Sequence, residues 1–511
     1  MKQKQIRCFS LLLLILAARS GAQEYNSVPL DHAAYDIIAM GIMQGIILAP
    51  PAAKPWPLSM VKEKLWEMID DPAQILSSEE SETVSHVLDS FERKTGLQLQ
   101  DGRYRTENSD STFEVGLGWE SDFSIKNPGA SFANINMLRL YSGGDMADCA
   151  SWNISPQVYA GWPDDPVFSY GLEAELNGAF FNQHILLRLG RIPRGWGRDS
   201  GESSLFINAH ARPFTALEGT ILPLSWLNIS FLGGALERFD ENNQWPHDRP
   251  FTNMLSAAQV EFNPSMYIHL NIGGAAVLLK QPNTAFFTDL EFRVPGLFTL
   301  WGSLFIDRLN SSSGIFSPMN GNSYAYQAGI KTVIHWLPLA AFTLRYTRIE
   351  PYCYAGEWDS AFINGGESLG YYLPPNSDEL LLRFEYMLFT IIKTYFQFQM
   401  IRHGVDYGYG AVGGSSLYDT LADNYSAKYF LRDGVYQWDN IIKLGGSCNL
   451  RAGGAHGVPL SMYAEAGLMV TNFTINGNAG VGNEANNEPL SDSTYQPGAY
   501  FIFSIGFRLF L

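Results

Sequence analysis

Four arginines and a tryptophan crowd one short stretch of an otherwise acidic chain. The run Gly190-Arg191-Ile192-Pro193-Arg194-Gly195-Trp196-Gly197-Arg198 is followed by Asn208 and by Ala211-Arg212-Pro213-Phe214. Guanidinium forks bind carboxylates and phosphates through paired hydrogen bonds, and an indole face attracts cations. Arg191, Arg194, Trp196, Arg198, Asn208, Arg212 and Phe214 are therefore candidate ligand-binding residues, for an acidic glycan or an anionic lipid sugar. The same residues also suit a folded loop whose arginines pair with Asp and Glu of a surrounding wall. Enzymatic chemistry finds little support. The sequence has no His-Glu-x-x-His helix. Its nine histidines are scattered, with no pair at metal-ligand spacing. Asp199, Ser203 and His210 lie near one another, but a catalytic triad is defined by geometry and not by sequence proximity. The chain is read as a non-enzyme that needs neither metal nor cofactor.

The elements that must position this stretch are strands. Phe501, Phe503, Ile505, Phe507, Leu509 and Leu511 recur at every second position, alternating with Ile502, Ser504, Gly506, Arg508 and Phe510. Successive strand side chains point to opposite faces, so one face is wholly apolar and the other mixed. That pattern fits the closing strand of an outer-membrane barrel with its apolar face toward lipid. Similar alternation runs through Phe113–Trp119, Tyr324–Trp336, Leu380–Tyr386, Tyr395–Met400 and Met462–Val470. Turn-forming clusters such as Pro163-Asp164-Asp165-Pro166 and the span 476–487 lie between alternating segments. At roughly 22 residues per strand with its connection, the roughly 400 residues after residue 105 give about 16–18 antiparallel strands.

Residues 1–22 have the form of a secretory signal peptide: Lys2, Lys4 and Arg7, then the apolar Leu11–Ala18, then Ser20-Gly21-Ala22. Residues 23–105 read as a helical module. One helix is expected from Asp31 toward Gln44, and a second over Met60–Ile69, capped by Ser59 with Leu58 as a hydrophobic staple. A third starts at the Ser77-Ser78-Glu79-Glu80 capping box and ends near Gly96. Residues 106–511 are then the barrel, with the module on its periplasmic side. Aromatic residues make up 14% of the chain and charged residues 17%. A soluble domain carries about 25% charge, so the low value fits an outer band facing lipid. Removing residues 1–22 takes away four basic and no acidic side chains, leaving 30 basic against 51 acidic. That balance of −21 argues against a nucleic-acid partner. Cys149, Cys353 and Cys448 remain, odd in number and widely spaced, and define no disulfide framework.

The 190–197 run, with Asn208 and Ala211–Phe214, resembles the Wzi family of outer-membrane capsule-assembly proteins. Val28-Pro29-Leu30-Asp31-His32 with Tyr35-Asp36 is similar to the opening of that family's helical module. Looser likenesses are Gly366-Glu367-Ser368-Leu369-Gly370, Pro374-Pro375-Asn376-Ser377-Asp378 and Arg402-His403-Gly404. The resemblance implies an all-β transmembrane barrel of about 18 strands in the outer membrane, with helices at its periplasmic end. It also implies binding of surface polysaccharide and a part in capsule or surface-glycan assembly. Outer-membrane lipid is the remaining partner. A porin or passive diffusion channel is the alternative, in which the arginine-rich segment would line a constriction.

Overall fold

The computed structural model describes residues 25–71, 73, 75–91, 99–100, 103–108, 111–127, 131–146, 149–162, 168–197, 202–237, 253–278, 283–308, 322–337, 339–356, 361–388, 392–405, 417, 430, 435–452, 458–475 and 498–510. The proposed signal peptide, Gly96, Arg198, Asp199 and the turn clusters 163–166 and 476–487 lie outside them.

Eighteen long antiparallel strands, from Ser111–Asn127 to Gly498–Phe510, form a closed barrel. Closure is made by the last strand on the first, Phe501 opposite Asn127 and Phe510 opposite Gly118. Each of the eighteen strands thus has a neighbour on both sides, as a spanning sheet requires. The alternation legible in the sequence becomes inside and outside. In Asn253–Ser265, Asn253, Leu255, Ala257, Gln259 and Glu261 are buried, while Met254, Ser256 and Ala258 are exposed. Leu290, Phe292, Leu300, Phe396, Leu444 and Phe501 form part of an exposed apolar exterior. A surface of that kind is stable only against hydrocarbon. Among the described residues no helix is long and apolar enough to cross a membrane; the crossing is made by strands.

Short connections such as 181–184 and 295–297 lie at one end of the barrel, and long ones at the other. Two of the long connections, 193–213 and 350–376, contribute to a packed interior. Leu205, Phe206 and Ile207 of the first meet Tyr354, Phe362, Leu369 and Tyr371 of the second, against Phe287 and Phe305 of the wall. Phe206 stacks on Phe287 with ring centroids 4.0 Å apart.

Three helices, α1 Ala34–Gln44, α2 Leu58–Ile69 and α3 Ser78–Phe91, pack against the short-turn end. Their core of Ile37, Ile38, Met43, Leu65 and Val84 continues into Val333, Leu339, Ala341 and Met387 of the barrel. The capping box at α3 forms in both directions: Glu80 N–H donates to Ser77 Oγ at 3.3 Å, and Ser77 N–H to Glu80 Oε2 at 2.9 Å. The expected cap of α2 does not form. The helix begins two residues earlier, after Pro57, and Ser59 Oγ bonds instead to Gln183 of a barrel turn at 3.0 Å. A tertiary partner has displaced a local one.

Candidate functional site

The wall strand Ile185–Ile192 ends where Pro193, lacking an N–H, can no longer feed the ladder. The chain turns inward, and Gly195–Trp196 pairs with Ala53–Lys54 of the segment linking α1 to α2. Trp196 N–H then donates to Ile207 O at 2.8 Å. Gly197 has φ +137°, which side-chain-bearing residues rarely adopt. Asn208 closes the loop: its Nδ2 donates to Glu202 O (2.7 Å) and Ser204 O (3.0 Å), and its Oδ1 accepts from His210 N–H (3.0 Å).

One carboxylate fixes this loop to the wall. Glu218, the cross-strand partner of Arg188, is 3% exposed. It accepts from Arg188 Nη1 at 3.2 Å, Arg194 Nε at 3.3 Å and Trp196 Nε1 at 3.0 Å. Arg194 is fully buried and also donates to the carbonyls of Ile192 (3.1 Å), Phe214 (2.7 Å) and Gly190 (2.9 Å). Its guanidinium carbon lies 5.0 Å from the Phe214 ring centroid. Arg188 reaches on to Asn177 Oδ1 (3.0 Å) and Pro55 O (2.8 Å). Strand, loop and helical segment are thereby joined at a single buried ion. Arg188 and Glu218 are not among the residues the sequence reading singles out. Their signal was present: both are charges on the inward face of strands whose outward residues are Leu187, Leu189 and Leu217.

The candidate residues divide into two groups. Arg194, Trp196, Asn208 and Phe214 are buried, with their polar groups bonded within the protein. Arg191 and Arg212 are half-buried at the long-loop end. Arg191 pairs with Glu237, and Arg212 Nε meets Glu367 Oε1 at 2.8 Å, with side chains 34% and 47% exposed. Asn364 ties the two pairs together, its Nδ2 donating to Arg212 O at 3.0 Å and its Oδ1 accepting from Glu237 N–H at 2.9 Å. Ser203 is buried, whereas His210 is exposed beside Tyr372, with ring centroids 6.5 Å apart.

A cavity of about 700 Å³ lies within the lumen, lined by α1, the 49–54 segment, loop residues Gly197, Glu202, His210 and Tyr372, and the wall. Its wall is densely charged, with Arg293, Lys331, Arg383, Lys393 and Lys443 among the cations. Among the described residues no group of His, Cys, Asp and Glu could hold a metal ion.

This architecture is that of a large outer-membrane β-barrel with structured segments in its lumen. No protein-family model and no curated protein sequence matches the chain. Solved structures do. The chain is similar to Escherichia coli Wzi, described as an outer-membrane protein involved in group 1 capsule assembly and a carbohydrate-binding β-barrel. The TM-score is 0.60 at 13% identity, covering 96% of this chain and 99% of that one. The fold is thus a Wzi-like outer-membrane barrel. Fainter likenesses are to Pseudomonas aeruginosa OprD, TM-score 0.47 at 12% identity over 78% of this chain and 94% of that one. Acinetobacter baumannii OccAB2 gives 0.48 at 10% identity over 78% and 97%.

Proposed function

We propose that this barrel binds surface polysaccharide or another acidic glycan at its long-loop end and assists capsule or surface-glycan assembly. Outer-membrane barrels carry short turns on the periplasmic side and long loops outside, which directs the helical module, residues 23–105, to the periplasm. Residues 106–511 are the barrel, after a signal peptide over 1–22. The reading is carried by one observation: Arg191, at the end of a wall strand, and Arg212, on the loop that follows it, are tethered side by side through Asn364 and partly exposed, whereas Arg194 between them is fixed in the wall. A ligand carboxylate can exchange with Glu367 at Arg212 at little cost, because exposed ion pairs are worth only about 0–1 kcal/mol. The carbohydrate-binding description of Wzi supports the same ligand class. The test is binding of purified acidic capsular polysaccharide to the detergent-solubilised barrel. The Arg191→Ala/Arg212→Ala variant should bind at least about tenfold more weakly, a loss of about 1.4 kcal/mol. An unchanged affinity sinks the reading.

A passive channel is the second reading, favoured by the large charged cavity in the lumen. Single-channel conductance in a planar bilayer separates the two. Steady large openings support a channel; a folded but silent barrel supports the binding protein.

A further inference from the structure

The lumen cavity belongs neither to the Glu218 junction nor to the outer arginine pair, and its charges are balanced. Seven Lys and Arg side chains line it against eight Asp and Glu. Many of these charges are neutralised pairwise. Glu385 lies 3.5 Å from Lys331, 3.2 Å from Lys393 and 3.1 Å from Arg383. Lys443 meets Glu465 at 2.9 Å, and Arg293 meets Glu291 at 2.7 Å. A bare anion or cation entering here must compete with opposite charges already engaged. A hydroxyl-rich solute has no such difficulty. Each hydroxyl donates and accepts, so it can bridge the two members of an ion pair through charge-assisted hydrogen bonds.

Two further observations point to a ligand. Thr299, 2% exposed, lines the cavity, and its hydroxyl has no hydrogen-bond partner among the described residues. A buried polar atom left unbonded costs about 1–3 kcal/mol, which a ligand hydroxyl would recover. The cavity also holds Tyr372, still 43% exposed, whose hydroxyl donates to Glu379 Oε1 and accepts from Gln399 Nε2. A ring anchored at its hydroxyl and still partly exposed suits the C–H side of a sugar, and the Gln397 amide lines the same chamber. The volume falls within the range of about 300–1,000 Å³ of small-ligand pockets. We infer that this chamber is a second binding site, for a short neutral saccharide held between paired charges and the Tyr372 ring.

The site is separate from the outer arginines and stands on the chemistry of the cavity. Its test is calorimetric titration of the full-length, detergent-solubilised barrel. The probes are neutral di- to tetrasaccharides of glucose, galactose, mannose and N-acetylglucosamine, with citrate as a charged control. At least one saccharide should bind. Gln397→Trp, which narrows the chamber at the Gln397 amide, and Tyr372→Ala, which removes the ring, should each weaken that binding at least about tenfold. The Arg191→Ala/Arg212→Ala variant should bind the saccharide as the parent does. Heat-modifiable gel mobility verifies folding of each variant, and Gln397→Ala, which only trims a partly exposed amide, replaces any that misfolds. Binding by no saccharide, tighter binding of citrate, or affinity indifferent to Gln397→Trp overturns the inference. If only the arginine variant loses the saccharide, the sugar belongs to the outer face: the chamber fails and the proposed function stands. If the polysaccharide does not bind but the short saccharide does, the proposed function fails and the chamber stands.

Discussion

Replacing Glu218 by Ala should release the 193–213 loop without dissolving the barrel. The carboxylate serves Arg188, Arg194 and Trp196 at once, at 3.2, 3.3 and 3.0 Å. Removing one partner of a buried ion pair costs about 3–5 kcal/mol, because the remaining charge is left uncompensated. The lost Trp196 bond, about 1.5–3 kcal/mol for a charged acceptor, concerns the same carboxylate and is not added on top. Arg194 keeps its backbone carbonyl partners, and Arg188 retains Asn177, Pro55 and the Glu175 carboxylate 3.9 Å away. The wall loses no ladder bond. The cost therefore falls on docking of the loop. At about 1.4 kcal/mol per tenfold, the undocked fraction rises about a hundred- to a few thousandfold. Trypsin reads this directly, since cleavage after Arg194 follows the open population when opening is fast. The variant should be cut there faster by that factor while unheated gel mobility stays that of a folded barrel. Glu218→Gln, which keeps an acceptor for Trp196 and loses the charge, should fall between. Cleavage of Glu218→Ala at the parent rate, or cleavage spread evenly over the chain, refutes the junction as described.

Three further outcomes are expected. Arg508 grips Glu120 through Nε and Nη2 (3.0 and 3.1 Å) and Asp31 through Nη1 (2.8 Å), so Arg508→Gln should loosen the helical segment by about 1–2 kcal/mol, reduced by partial exposure. Hydrogen exchange across residues 25–44 should quicken, and an unchanged rate refutes the coupling. A Cβ at Gly190 would lie 2.4 Å from the backbone oxygen of Ala174, so Gly190→Ala should lower the folded yield on unheated gels by an overpacking cost of about 1–3 kcal/mol; a parent-like yield would show that these strands can part. Burial drives the His32 imidazole down to about 4 against the pull of Asp31 and Asp36, while its Nδ1 accepts Ala34 N–H at 3.1 Å, at the start of α1. The folded module thus refuses a proton that the unfolded one takes up below about pH 6.5, and full stability above that pH should fall toward pH 4 by up to about 3 kcal/mol. Hydrogen exchange of residues 34–44 should show this loss, and its persistence in His32→Gln would assign it elsewhere.

What the sequence discloses is what repeats. The last strand shows its two faces in composition, and the structure turns Phe501 and Ile505 outward and Arg508 inward. The capping box at Ser77 is equally local and forms as read. Ser59 has the right chemistry for a cap, but Gln183, 124 residues away, claims its hydroxyl. Pro55-Trp56-Pro57 reads as a break in the chain, yet Ala53–Lys54 just before it becomes a strand, because Gly195–Trp196 supplies its partner. The chamber is the extreme case: Asp36 and Lys393 meet at 2.7 Å across a separation of 357 residues. No periodicity carries a pairing of that kind.

The same distinction between local and distant partners decides which arginine can meet a glycan. Drawing Arg194 into a ligand means breaking its bonds to Glu218 and to the surrounding carbonyls and opening a buried pair, at a cost of about 3–5 kcal/mol. An exposed contact between a guanidinium and a ligand carboxylate returns only about 0–1 kcal/mol. The exchange at Arg194 is unfavourable for any acidic glycan. At Arg212 the outgoing partner is Glu367, itself nearly half exposed, so one solvated carboxylate replaces another and the balance is close to zero. Small favourable terms repeated along a polymer can then accumulate, which suits recognition of a polysaccharide better than of a single sugar acid. The motif residues that hold the loop in place are for this reason the ones least able to bind, and the proposed glycan contact falls first on Arg212, with Arg191, whose partner Glu237 is buried, as the supporting charge beside it.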